Sequence, residues 1–134
     1  MRRRLSRMYA TQIETYRNMQ KMTLSGRELE AAVLTKAAQK LTLCQNNWEA
    51  PDREEKLNEA LKYNQKVWTV FQSELSDPEN PLPKKLKEEL LSLSAFIDRR
   101  IFDILSFPLP EKLNAIININ INIAAGLRGS AVQK

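Results

Sequence analysis

The sequence predicts an all-α fold: a compact bundle of four main helices with an N-terminal helical segment before them. Three observations predict it. Only 3 of the 134 residues are glycine, too few for the turns that an all-β chain needs. Apolar residues recur at helical spacing through four long stretches. Prolines gather between stretches, in "SDPENPLPKK" and "FPLPE", where a helix must stop. At this length one domain is expected, and 43% apolar with 28% charged residues is an ordinary globular balance.

In chain order, residues 1–22 read as a basic arm with helical character, because Leu5, Met8, Tyr9, Tyr16 and Met19 share one helical side. Residues 23–127 form the helical domain, and 128–134 a flexible tail. The first main helix starts after Ser25, an N-cap with Glu28 at capping-box spacing. Val33, Leu34, Ala37, Ala38, Leu41, Cys44 and Trp48 then line one side at about 100° per residue. Cys44 belongs to that stripe and reads as a buried thiol. The second helix begins near Pro51, with Asp52, Glu54 and Glu55 at the positive end of its dipole. Leu57, Ala60, Leu61, Val67, Trp68, Phe71 and Leu75 make its apolar face, and Asn64 falls at the centre of that face.

The third helix spans 83–105. Leu86, Leu90, Leu93, Ile97, Ile101 and Ile104 form its main stripe. Leu91, Ala95 and Phe102 form a second, about 140° away when wound at 100° per residue. A bundle helix needs one wide apolar face, so the extra stripe is either covered by the N-terminal segment or kept for a partner helix. Pro110 can open the fourth helix.

The fourth helix contains "NAIINININIAAGL". Strict Ile–Asn alternation is the pattern of a half-buried strand, and no second strand pattern exists to pair with it. Wound as a helix, Leu113, Ile116, Ile117, Ile121, Ile123, Ala124 and Leu127 collect on one broad face. Asn118 and Asn122 fall opposite, Asn120 falls at the centre of the apolar face, and Gly126 sits where a C-cap belongs. Two helices therefore each bury one amide, Asn64 and Asn120. An unpaired buried amide costs about 1–3 kcal/mol, so each needs a partner, either the other or a free backbone group at a helix end. A satisfied core amide that fixes helix register is the expected role of each, and a ligand site the alternative.

The chemistry of catalysis is sparse. There is no histidine and one cysteine, so the usual general base and commonest metal ligand are missing. No phosphate loop, CxxC pair or GxSxG elbow occurs, and no apolar run reaches the ~20 residues of a membrane span. A lone cysteine suits a reducing compartment. No enzyme, cofactor or metal is expected. Residues 1–27 hold seven basic side chains against Glu14, while the rest carries 14 basic and 15 acidic. Such an arm is a solvated feature or a contact for RNA or an acidic partner.

Together these stretches resemble the FlaF family, flagellar biosynthesis regulators of alphaproteobacteria. The resemblance rests on Ala60, Leu61, Asn64, Val67 and Trp68; Asn80, Leu82 and Pro83; Ser92, Leu93, Phe96 and Arg99; and Ile116, Ile117, Ile119 and Asn120. It covers roughly residues 8–127. Val67 stands where the family has Leu, Gly26 where it has Pro, and the Ile–Asn run departs from the usual end of the last helix. The resemblance implies a small cytoplasmic protein that supports flagellin production and secretion, as a flagellin-binding helper of chaperone type. It implies flagellin as partner, with an FlbT-type regulator acting in the opposite sense. An RNA-binding regulator acting on flagellin mRNA is the second reading. Leu91, Ala95 and Phe102 are the candidate flagellin-binding residues.

Overall fold

The structure is a computed structural model that describes residues 26–132, with side chains described to residue 129. The basic arm, its stripe from Leu5 to Met19, and Ser25 as a cap lie outside the described residues. Four helices follow: α1 (Gly26–Asn46), α2 (Arg53–Leu75), α3 (Lys84–Ser106) and α4 (Asn114–Val132). A single turn of 3-10 helix, Pro110–Leu113, leads into α4. Among the described residues there is no strand, and the Ile–Asn run is α-helical throughout.

The helices run up and down. Gln45, at the end of α1, donates to the Pro110 carbonyl at 2.9 Å and to Asn114 Oδ1 at 2.7 Å. The end of α1 thus sits at the start of α4, and these two antiparallel helices share the most extensive contact in the fold. α2 packs next on α1, where Lys36 and Lys40 stand 5.7 Å and 5.2 Å from the centroid of the Tyr63 ring, within cation–π range. α3 packs chiefly on α2. There Gln72 Nε2 donates to the buried Ser94 hydroxyl and, at 3.5 Å, to Asp98.

The core is built by the residues that the helical period selects. Ala31, Leu34, Ala38 and Leu41 of α1 meet Leu57, Ala60, Leu61 and Trp68 of α2, Ile97, Ile101 and Ile104 of α3, and Leu113, Ile116, Ile117 and Ala124 around α4. Burial supplies the driving force, about 1.5–3 kcal/mol for each large aliphatic side chain removed from water.

Asn80 holds the α2–α3 turn. Its amide Nδ2 donates to the Glu74 carbonyl at 2.9 Å, its Oδ1 accepts from the Leu82 N–H at 3.0 Å, and its carbonyl accepts from Lys87 Nζ at 3.3 Å. Pro83 then sits at the N-cap with an extended backbone, and the helix starts one residue later than its sequence start. At the other corner, Lys112 pairs with Asp103 at 3.2 Å and donates to the Phe107 carbonyl at 2.8 Å.

Four local expectations change, the first at Leu86, expected on the main stripe of α3 and 40% exposed. Pro110 opens a 3-10 turn, and the α-helix proper begins at Asn114. Gly126 does not end α4. Neither Gly126 nor Gly129 takes the left-handed conformation, and the helix continues to Val132, through residues assigned from sequence to a tail. Ile121, expected on the apolar face, is 47% exposed. The buried side of α4 runs through Ile117, Asn120 and Ala124, and Ile121 lies outside it, at the open groove beside α1.

Candidate functional site

The two central amides are brought together. Asn64 (α2) and Asn120 (α4) are both fully buried, and Asn120 Nδ2 donates to Asn64 Oδ1 at 2.7 Å. A third member joins them: Trp68 Nε1, one turn beyond Asn64, donates to Asn120 Oδ1 at 2.8 Å. The order follows from the chemistry. An indole N–H can only donate, so Asn120 must turn its oxygen to Trp68 and its NH₂ to Asn64. Asn64 must then offer its oxygen, and its own Nδ2 is left buried without a partner. The chain Trp68–Asn120–Asn64 therefore has direction and one open end.

These groups are neutral across the physiological range, so the chain positions helices rather than moving protons. Trp68 also makes an edge-to-face contact with Phe71, ring centroids 5.6 Å apart at 77°. Trp68 as the third member was not visible in the sequence, where it reads as one more residue of an apolar face. The only signal was its spacing of four from Asn64, which puts the two on one helical side.

Cys44 is buried beside this core. Burial, and after it the nearby Glu59 carboxylate, raise its thiol above the ordinary value. A thiol held neutral is a poor nucleophile and a poor metal ligand. Among the described residues no group of three or more His, Cys, Asp and Glu side chains is placed to hold a metal ion. No helix among them is long and apolar enough to cross a membrane.

The second stripe of α3 lies on a different face from the amides. Leu91 is half-buried, Ala95 exposed and Phe102 74% exposed. The structure extends it: Leu105 is 53% and Phe107 64% exposed, making an apolar patch at the C-terminal end of α3. Leu105 was legible, being three residues after Phe102; Phe107 was not, because it lies past the helix. Phe107 is exposed but held, with Lys112 Nζ 5.0 Å from its ring centroid and bonded to its carbonyl. Clustered exposed aromatic and aliphatic side chains mark interaction surfaces more often than isolated ones do.

A family model described as flagellar protein FlaF matches residues 12–127. No curated protein and no solved structure is similar enough to match. The matched span contains the whole polar chain and the whole exposed patch.

Proposed function

The chain belongs to the FlaF family of flagellar proteins, and from that premise we propose that it is a non-enzymatic regulator of flagellum biogenesis that binds flagellin. By holding flagellin before assembly it promotes flagellin synthesis and secretion, acting in the cytoplasm as a chaperone. The observation that carries this reading is the exposure of Phe102, at 74%, in an apolar stripe backed by a well-packed helix. An amphipathic partner helix laid along such a stripe buries its own apolar face there. Leu91 and Ala95 form the shallow part of the track, and Phe102 the central anchor.

Titration of labelled flagellin against the full chain and its Phe102→Ala variant tests this. Loss of a central aromatic anchor costs about 2 kcal/mol or more, so binding should weaken by about tenfold or more while the thermal melt is unchanged. Equal affinity for both proteins overturns the assignment of the surface. Binding that disappears on nuclease treatment overturns direct flagellin recognition and favours contact with flagellin mRNA through the basic arm.

A further inference from the structure

Phe107 is open to solvent, at 64% exposure, yet its surroundings hold it still. Pro108 follows it, and a residue before proline is pushed out of the helical region. Phe107 accordingly stands at φ −152° and ψ 87°, and α3 stops there. Its N–H donates to the Asp103 carbonyl at 3.0 Å, and its own carbonyl accepts from Lys112 Nζ at 2.8 Å. The same ammonium stands 5.0 Å from the centroid of its ring, within cation–π range.

Lys112 is given over to this corner. An ammonium has three hydrogens, and three oxygens surround this one: the Phe107 carbonyl, the Asp103 carbonyl at 3.4 Å and Asp103 Oδ1 at 3.2 Å. The lysine side chain is only 16% exposed, and a cation there suits the negative end of the α3 dipole. The bonds that close the corner run to backbone and carboxylate oxygens, and none of them needs a ring at position 107. Leaving most of a phenylalanine in water forgoes the stability that its burial would give.

We propose that Phe107 is a second aromatic anchor for the partner helix, beside Phe102, and that Lys112 is its positioning residue. This rests on the reading of the α3 patch as the flagellin-binding surface. A mobile side chain loses rotamer freedom when a partner covers it. One already held loses less, a difference of about two- to tenfold in affinity. Lys112 acts through Phe107 and not by touching flagellin, because its donors are already taken. Phe102 and Phe107 are five residues apart, about 7.5 Å at the helical rise. Leu105 between them is 53% exposed, so the apolar track runs on past the end of α3 toward the 3-10 turn.

A double-mutant cycle tests this, with labelled flagellin titrated against the full chain and its variants. Phe107→Ala should weaken binding about fivefold or more. Lys112→Met keeps the apolar stem and removes the charge and the donors. It should weaken binding about two- to tenfold when Phe107 is present and have no effect in the Phe107→Ala background. Thermal melts of every variant put the affinities on a per-folded-molecule basis. If Lys112→Met does not fold, Lys112→Gln, which keeps a donor for the carbonyls, takes its place in the cycle. Full affinity in Phe107→Ala overturns the proposal, and the flagellin reading still stands if Phe102→Ala weakens binding. An equal effect of the Lys112 variant in both backgrounds, or none in either, overturns the positioning role. A wild type that does not bind flagellin overturns the flagellin reading and this proposal with it.

Discussion

Truncating Asn120 and truncating Asn64 should not cost the same, although both residues are fully buried and bonded to each other. In Asn120→Ala the indole N–H of Trp68 loses its acceptor and Asn64 Oδ1 loses its donor. Each orphaned buried group costs about 1–3 kcal/mol, so the variant loses about 2–6 kcal/mol before any cavity is counted. In Asn64→Ala only Asn120 Nδ2 is orphaned. The mutation also deletes the one amide donor that already lacks a partner, which offsets part of the loss. The expected order is Asn120→Ala worse than Asn64→Ala by about 1–3 kcal/mol, from the difference of one orphaned group. Urea melts of wild type, both single variants and the double variant measure it, provided the slopes agree. The double variant should cost less than the sum of the singles, because both break the same bond. Equal single costs, or Asn64→Ala as the worse variant, would refute the directed chain and place the unpaired donor elsewhere.

Gly126→Ala should stabilise by about 0.5–1 kcal/mol, because glycine is a poor residue inside a helix and an added Cβ there meets nothing within 4 Å; a lower thermal midpoint would contradict the continuous α4. Gln45→Ala should destabilise by about 1–2 kcal/mol, through loss of the bonds to Pro110 and Asn114, each worth about 0.5–1.5 kcal/mol, and urea melts will show it. The raised Cys44 thiol gives a pH dependence. Folding favours the protonated form, so this contribution is complete below the unfolded thiol value, near 9.0, and is lost as pH rises through the folded one. Stability measured across that alkaline range should fall more steeply for wild type than for Cys44→Ala.

The helices were legible because their apolar spacing is long and consistent, and because prolines mark the turns between them. The Ile–Asn run shows why period must be weighed along with length. Seven alternating residues look like a strand, but the same isoleucines, read with Leu113, Ala124 and Leu127, fit the helical period. Asn64 and Asn120 could be recognised as central amides for the same reason. Their pairing with Trp68 could not, since it depends on how α2 and α4 approach across the core. Gly126 misled because glycine ends a helix only where the chain turns left-handed, and here the backbone keeps a helical conformation to Val132. The exposure of Ile121 was hidden because a wide apolar arc on one helix does not say which edge a neighbour will cover.

The partnership of α1 with α4 has a bearing on how the chain matures. The most extensive helix contact joins the first described helix to the last, so this seam of large sequence separation closes only after α4 has been made. Closing a long loop delays folding, because its entropy is lost before the contacts form. While α1, α2 and α3 emerge, Leu34, Leu41 and Trp68 have no α4 to bury them. A product that stops before Asn114 lacks Ile116, Ile117 and the acceptor for the Trp68 indole, and it exposes much of what should become the core. Quality-control proteases act on such open chains. The Ile–Asn helix therefore supplies the groups that complete this core, Ile116, Ile117 and the amide of Asn120.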